Sequence, residues 1–287
     1  MKNYKNKVAV ITGAGKGIGR GIALYCAKLG MKLVLSDIQI ESLNKTAEDA
    51  SKLCKSVMTI QADVSIYEEV EDLAQKSFEK YGNVDLLINN AGVAKPSTVL
   101  ESSLQDWNWI MGVNFFGMLH GIKAFVPSMI KSGKKGHVVN VASMGGAIEG
   151  LDSYIVSKYA AVALSESLYH DLAEAAPEIA VSIFMPGLVN TELYNAENAR
   201  PKRFKTSHSG LNNNDAMKDF FQKFGFSVKE TVNILFKGLE DNKLYIGPKA
   251  FKEQSPKIHD LIINHAENII NERNPKHPFD MGPTNPR

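Results

Sequence analysis

The stretch DSYIVSK, residues 152–158, contains a pair of side chains that can move a proton. On a helix, Tyr154 and Lys158 lie four residues apart and share one face. An ammonium beside a phenol favours the phenolate and lowers its pKa toward the working pH. A tyrosine tuned in this way exchanges a proton with an alcohol or a ketone. A core tyrosine beside a solvated lysine has the same spacing, so the surrounding elements must decide between the two interpretations.

A second stretch, TGAGKGIG at residues 12–19, has the composition of a phosphate-binding turn. Glycine permits positive φ angles and a close approach of the backbone to a pyrophosphate. The helix that starts within the stretch offers free N–H groups. Gly17 after Lys16 excludes a P-loop, and Ile18 breaks the pattern GxGxxG counted from Gly13. The stretch fits TGxxxGxG, with Gly13, Gly15, Gly17 and Gly19, and it predicts a dinucleotide site.

Asp37, which follows the second predicted strand, bears on the choice of dinucleotide. A carboxylate there accepts hydrogen bonds from an adenosine ribose and repels a 2′-phosphate. Ile38 offers no compensating cation, whereas Lys16 in the glycine loop could pair with that phosphate. We expect NAD in preference to NADP, and a turn-forming aspartate remains the alternative interpretation of Asp37.

Short apolar runs alternate along the chain with longer amphipathic stretches. Seven runs predict strands, at residues 7–12, 31–36, 57–61, 84–89, 136–143, 179–185 and 243–247. The stretches between them predict helices, including two near 104–131 and 153–175. Continuous apolar strands joined by helices indicate a parallel sheet covered on both faces. The sequence therefore predicts an α/β fold with a doubly wound parallel sheet, the Rossmann fold, whose ligands lie beyond the carboxyl ends of the strands.

We assign residues 1–248 to one dinucleotide-binding domain and residues 249–287 to a C-terminal helical tail. The tail helix has Ile258, Leu261, Ile262, His265 and Ile269 on one side, which suits docking on the body or on a partner subunit. Residues 190–226 interrupt the alternation with basic and aromatic residues. Trp107 and Trp109 are expected to pack in the core or at an interface.

The composition is that of an ordinary globular protein. Of 287 residues, 44% are hydrophobic and 22% charged, and the net charge of +2 gives no reason to expect nucleic acid. We see no secretory signal pattern and expect no membrane partner, a cytoplasmic location and, from the scattered histidines, no metal. Cys26 and Cys54 both fall in predicted helices and are too few for a disulfide framework.

The ordered motifs resemble the short-chain dehydrogenase/reductase family, in its single-domain branch. They are TGAGKGIG, ADV at 62–64, NNAG at 89–92, Asn114, Ser143, YIVSK at 154–158 and PGLVNT at 186–191. The resemblance covers residues 7 to about 248. It implies an NAD(P)-dependent oxidoreductase that interconverts a secondary alcohol and a ketone.

The resemblance also implies four catalytic residues. Tyr154 is the general acid/base on the substrate oxygen, and Lys158 lowers its pKa and binds the nicotinamide ribose. Ser143 hydrogen-bonds the reacting carbonyl or alcohol, and Asn114 supports a chain of waters that carries protons to Lys158. Ser143 precedes Tyr154 by eleven residues, which is shorter than is usual in the family, although three glycines in the loop MGGAIEGLD allow a short path.

For the cofactor, the resemblance implies contacts along the whole dinucleotide. Asp63 and Val64 lie along the adenine, Asn90 and Gly92 near the adenosine side, and Val189 and Thr191 at the nicotinamide carboxamide. The full expected set is Thr12, Gly13, Gly15, Lys16, Gly17, Ile18, Gly19, Asp37, Asp63, Val64, Asn90, Ala91, Gly92, Tyr154, Lys158, Pro186, Gly187, Val189 and Thr191.

In this family the segment 190–226 corresponds to a lid over the substrate. Its aromatic residues indicate an apolar pocket wall and a hydrophobic substrate, such as a sterol-like, terpenoid or acyl alcohol. The cluster Arg200, Lys202, Arg203 and Lys205 is either a solvated face or a site for an anionic carrier. The alternatives are therefore a ketoacyl-thioester reductase that uses NADPH and a dinucleotide-binding sensor without turnover. Relatives in the family are commonly homo-oligomers, and we expect a dimer or tetramer.

Overall fold

A seven-stranded parallel sheet forms the centre of the structure. A computed structural model of the chain describes residues 3–150, 152–206, 215–252 and 256–274. The strands are β1 (Val8–Thr12), β2 (Lys32–Asp37), β3 (Val57–Gln61), β4 (Leu86–Asn89), β5 (Gly136–Val141), β6 (Ile179–Phe184) and β7 (Tyr245–Ile246). Their order is β3-β2-β1-β4-β5-β6-β7. The doubly wound parallel sheet predicted from the sequence is confirmed.

Helices cover the sheet. In the described part of the chain they are α1 (Gly17–Lys28), α2 (Ile40–Ser51), α3 (Tyr67–Tyr81), α4 (Leu104–Met111), α5 (Gly117–Lys131), α6 (Ser153–Ala175), α7 (Asp215–Phe224), α8 (Val228–Glu240), α9 (Pro248–Lys252) and α10 (Pro256–Ile270). β1 and β4 are hydrogen-bonded neighbours in the sheet, and the direction in which successive strands are added reverses between them. A crevice for a ligand opens beyond the carboxyl ends of the strands at such a reversal.

The structure differs from the sequence prediction mainly at the ends of elements. β5 ends at Val141, so Ser143 lies two residues beyond the strand rather than on it. Cys54 lies beyond the end of α2 rather than within a helix, and burial raises the pKa of its thiol. The helix predicted near 104–131 is α4 and α5 joined by one turn of π-helix, Gly112–Phe116.

The segment Leu104–Lys131 also bears on membrane association. Within the described residues it is long and apolar enough to cross a membrane, by length and composition, and half of its apolar window is buried inside the protein. It packs against α3 and α6. A helix in the core of a protein can have the same length and apolar composition without crossing a membrane.

In the described part of the C-terminal region, residues of α9 and α10 pack against the rest of the protein. Phe251 of α9 is fully buried, and its ring lies 4.6 Å from the ring of Phe226, centroid to centroid. In α10, Ile262 packs against the core and the His265 ring faces Tyr159 at 6.0 Å. Ile269 is exposed, and the side chain of Ile258 is outside the described residues.

A buried histidine joins three elements at the amino-terminal edge of the sheet. His137 is the second residue of β5, and its Nε2 lies 2.8 Å from the Ser182 hydroxyl. Ser182 donates its own hydrogen to the Lys243 carbonyl, so its oxygen accepts from the histidine, which is the neutral Nε2–H form. Burial lowers the pKa of His137 to about 4.

We expect this histidine to make stability fall in mild acid. The pKa of His137 is lower in the folded than in the unfolded protein, so the unfolded state binds more protons between about pH 6.5 and 4. The contribution of neutral His137 to the free energy of unfolding is complete above this pH window. About 2 kcal/mol of that free energy is lost between pH 7 and pH 5. Urea unfolding at both pH values checks this. The variant His137→Gln, which can still donate to Ser182, should show a pH dependence weaker by that amount, and an unchanged dependence contradicts the assignment.

Candidate active site

The turn between β1 and α1 brings backbone N–H groups close to a crevice. Gly13 has φ +63°, and a Cβ there would lie 2.8 Å from the Ala91 Cα. Gly17 also has a positive φ, +52°. The Asn90 amide donates to the carbonyl oxygens of Thr12 and Gly13, at 2.8 and 3.1 Å. The glycines therefore give a cradle of backbone that side chains would fill, which fits a pyrophosphate at the start of α1.

Asp37 closes the neighbouring side of this crevice. Its carboxylate accepts hydrogen bonds from the backbone N–H groups of Gly15 and Gln39, both at 2.9 Å. Asp37 therefore has the hydrogen bonds of a turn-forming aspartate, and its contact with a ribose stays a prediction. Lys16, the next residue after Gly15, forms an ion pair with Glu192 of the 190–226 segment, with Nζ 3.2 Å from Oε2.

Asp63, beyond the end of β3, is tied to the 190–226 segment. Its Oδ1 accepts from the backbone N–H and the hydroxyl of Ser65, at 3.0 and 2.7 Å. Its Oδ2 lies 2.5 Å from the Arg203 guanidinium, which also donates to the Ser65 hydroxyl at 2.7 Å. Arg203 is 42% exposed and reaches Asp63 from the surface, so the solvated-face interpretation of this residue stays open although its charge is paired.

Tyr154 and Ser143 meet although few residues separate them. The Asp152 carboxylate accepts from the Ile155 N–H at 2.8 Å and caps α6, which places Tyr154 in the first turn of the helix. Ser143 follows β5 and begins a short 3₁₀ helix, Met144–Ala147. The Ser143 and Tyr154 side chains both line the same cavity, and the serine is close enough to the phenol to lower its pKa.

Lys158 lies one helical turn beyond Tyr154 on the same face. Its Nζ donates to the Val141 carbonyl at 3.1 Å and lies 5.6 Å from the centroid of the Tyr154 ring. Burial lowers the pKa of Lys158 to about 8. Burial raises the pKa of Tyr154, the nearby Ser143 side chain opposes the rise, and the Asp152 carboxylate adds to it. The lowering of this pKa by Lys158 stays a prediction.

Asn114 occupies the π-helical turn between α4 and α5. Its Oδ1 accepts from the Val93 N–H at 2.8 Å, and its Nδ2 donates to the Val93 carbonyl at 3.0 Å and to the Ser157 hydroxyl at 2.9 Å. A Cβ on Gly92 would lie 3.5 Å from the Asn114 oxygen and 3.6 Å from the Lys158 ammonium. The two side chains therefore flank one stretch of backbone. Single turns of π-helix of this kind are frequent at functional sites.

One cavity of about 990 Å³ connects these groups. It is lined by Gly13, Lys16, Gly17, Ile18, Gly19, Asp37, Asp63, Val64, Asn90, Ala91, Gly92, Ser143, Tyr154, Lys158, Pro186, Gly187, Val189 and Thr191, all of which belong to the set expected from the sequence. Thr12, Gly15 and Asn114 lie beside it and support its wall through the hydrogen bonds described above. Within the described residues, no group of three His, Cys, Asp or Glu side chains could hold a metal ion.

The segment 190–226 covers the open side of the cavity. A backbone bridge between Val189 and Phe226 joins its two ends. Between them lie 3₁₀ turns at Glu192–Ala199 and Lys202–Phe204 and the helix α7, while residues 207–214 are outside the described part. Phe220, Phe221 and Phe224 of α7 line the cavity, so part of its wall is apolar.

Sequence reasoning missed several residues of the cavity wall. Trp109, expected in the core or at an interface, lines the cavity, as does Leu261 of α10. Asp152 also lines it, close to Tyr154 in the chain. The apolar side of the tail helix was the only available signal for Leu261, and nothing in the spacing pointed Trp109 to this site.

A buried ion cluster attaches this segment to α4. The Arg200 side chain is 0% exposed, and its Nη1 lies 2.7 Å from Asp106 and 2.9 Å from Glu197. The guanidinium lies 4.6 Å from the centroid of the Trp109 ring, and the Lys95 ammonium lies 2.8 Å from Asp106. The Arg200 side chain is therefore fully internal, and the solvated-face interpretation is wrong for this residue.

The fold and the site together define a dinucleotide-dependent oxidoreductase. A glycine cradle follows the first strand of a doubly wound sheet, and a Ser–Tyr–Lys group stands in the same cavity. The family model for short chain dehydrogenases matches residues 7–202. The chain belongs to the short-chain dehydrogenase/reductase family.

Known proteins similar over nearly the whole chain agree with this assignment. A CLA biosynthesis dehydrogenase/reductase of Lactiplantibacillus plantarum is 36% identical over 270 residues, which cover 91% of this chain and 94% of that protein. A C alpha-dehydrogenase of Sphingobium is 30% identical, covering 94% and 87%. The crystal structure of a short chain dehydrogenase/reductase from Burkholderia phymatum in complex with NAD has 34% identity and a TM-score of 0.89, covering 97% and 99%.

Proposed function

We propose that this protein is an NAD-dependent dehydrogenase that interconverts a secondary alcohol and a ketone on a hydrophobic small molecule. The observation that carries the proposal is the presence of Ser143, Tyr154 and Lys158 in the cavity that also contains the glycine cradle. A cytoplasmic location and a homo-oligomeric state are part of the proposal. Residues 1–248 would form the catalytic domain, with 190–226 as its lid and 249–287 as a tail.

The side chains divide the work of the reaction. The nicotinamide, when bound, delivers or accepts the hydride. In the reducing direction, the Ser143 hydroxyl holds the ketone oxygen and the Tyr154 hydroxyl gives it a proton, and the reverse transfer accompanies alcohol oxidation. Because burial raises the pKa of Tyr154, its hydroxyl carries its proton at neutral pH. Lys158 supplies positive charge beside the phenol, and Asn114 fixes the backbone next to that lysine.

NAD rather than NADP fits the adenosine side of the cavity. The Asp37 carboxylate lines the cavity and is held in place by two backbone N–H groups. A fixed carboxylate favours a ribose hydroxyl and repels a phosphate on the same carbon. The NAD complex of the similar Burkholderia protein supports the same choice.

The substrate side of the cavity favours an apolar molecule. Its wall includes Trp109, Leu261 and the three phenylalanines of α7. The ketoacyl-thioester alternative depended on a basic face in the lid. Two of the four cations of that face, Arg200 and Arg203, are paired with Asp106 and Asp63, which leaves less free positive charge for an anionic carrier.

An assay of nicotinamide absorbance tests the proposal. Purified protein is supplied with NAD or NADP and with hydrophobic secondary alcohols, hydroxysteroids, ketoacyl thioesters and the matching ketones. We expect turnover of a hydrophobic alcohol/ketone pair with NAD. Turnover of thioesters with NADPH alone would instead establish the alternative, and dinucleotide binding without turnover of any compound would favour a sensor.

A further inference from the structure

The cation in the glycine loop is held by the lid. Lys16 and Glu192 both line the cavity, and their charged atoms are 3.2 Å apart. Lys16 directly follows Gly15, whose N–H donates to the Asp37 carboxylate at 2.9 Å. The backbone of Lys16 is therefore next to the residue that binds Asp37, the carboxylate proposed to face the adenosine ribose. The Lys16 ammonium nevertheless pairs with the lid residue Glu192.

The residue before Glu192 lies close to the glycine loop. Glu192 follows Thr191, and a Cβ on Gly17 would lie 3.3 Å from the Thr191 Cγ2. The start of the lid is therefore in direct contact with the glycine loop, and the ion pair joins two segments that already touch. Larger side chains on Gly17 would separate them.

This arrangement matters for the choice between the two dinucleotides, on which the proposed function rests. A 2′-phosphate on the adenosine ribose needs a cation close to Asp37. Ile38 and Gln39, which follow Asp37, carry no charge, whereas Lys16 lines the same cavity as that carboxylate. While Glu192 binds this ammonium, the site offers a phosphate the negative charge of Asp37 without the compensating positive charge.

We propose that Glu192 is a specificity-determining residue for the dinucleotide. It holds the Lys16 ammonium on the lid side of the cavity and thereby disfavours NADP. Asp37 repels the 2′-phosphate directly, and Glu192 acts by withdrawing the cation that would attract it. The preference for NAD then has two separate origins, one on β2 and one on the lid.

Dissociation constants of NADH and NADPH, measured by nicotinamide fluorescence without substrate, test this inference. The ratio of the NADPH constant to the NADH constant should fall about threefold in Glu192→Gln, a size set by the exposure of both side chains, 51% and 58%. The fall should disappear in the double variant Lys16→Met/Glu192→Gln, because the freed cation is then missing. It should also shrink at high salt.

The exposed pair Asp241 and Lys243, remote from the cavity, supplies a matched control. Asp241→Asn removes the same charge and should leave the ratio unchanged. An unchanged ratio in Glu192→Gln, or an equal fall with and without Lys16, overturns the inference while NADH binding still supports the proposed function. If the wild-type protein binds neither dinucleotide, the proposed function is overturned and the inference with it.

Discussion

Replacement of Tyr154 by phenylalanine is expected to lower kcat/KM about a thousandfold and to leave NADH affinity within about twofold of wild type. The change removes one hydroxyl from a partly buried ring. Ser143 and Lys158 keep their positions, since Lys158 is held by the Val141 carbonyl rather than by the phenol. The substrate oxygen then has no positioned proton donor. Initial rates from nicotinamide absorbance and a fluorescence titration with NADH measure the two quantities.

Tyr169 offers a control on the same helix. It lies on α6 with its side chain 41% exposed, so Tyr169→Phe removes a hydroxyl far from the cavity and should leave both rate and affinity close to wild type. Turnover in Tyr154→Phe above about a tenth of the wild-type value would contradict the role given to this tyrosine. Loss of NADH binding would mean that the change disturbs the cofactor site and not the proton transfer alone.

The change Asp106→Asn is expected to lower the free energy of unfolding by about 3 kcal/mol. Burial alone would raise the pKa of Asp106, but hydrogen bonds from Lys95, Ser103 and Arg200 together hold it well below its usual range. The carboxylate is therefore charged and neutralises two cations, one of them fully buried. Asparagine has nearly the same shape but no charge, and Glu197 remains as the other carboxylate beside Arg200.

Denaturant unfolding at pH 7 measures this effect. The matched control is Asp72→Asn, because Asp72 and Lys76 form an exposed ion pair one helical turn apart on α3. Such a pair contributes roughly 0.5 kcal/mol or less. A loss below about 1 kcal/mol in Asp106→Asn would show that the cluster adds little to stability. Since Arg200 also holds the lid on α4, we expect the same variant to raise KM more than it lowers kcat.

The parts of the molecule that sequence reasoning reached are those specified by local pattern. A strand buried on both faces, such as β1, appears as an apolar run, and a helix such as α3 shows the periodicity of an amphipathic helix. The glycine turn is visible because few residues adopt the φ angles of Gly13 and Gly17. Helix α6 matches its predicted range because Asp152 caps its start.

Contacts between distant residues could not be reached in this way. Arg203 and Asp63 are 140 positions apart, and only the path of the lid brings them together. Arg200 and Arg203 look alike in the sequence, yet the first is buried and the second is 42% exposed. Charge alone did not distinguish these two from Lys202 and Lys205, since the partner carboxylates lie on other elements. Asn114 lies in a π-helical turn, and no residue pattern in the sequence predicted that turn.

The parallel sheet also separates two groups of residues: those that set stability in acid lie at its amino-terminal edge, and those proposed for turnover lie at its carboxyl-terminal edge. His137 lies at the amino-terminal edge of β5, level with Leu86, while Ser143 follows the opposite end of the same strand. Tolerance of acid and turnover are therefore adjustable independently. Changes at the two edges share no contacts, so their free-energy effects should add. An acid-resistant form of this enzyme could be engineered at His137 and Ser182 without retuning its substrate range.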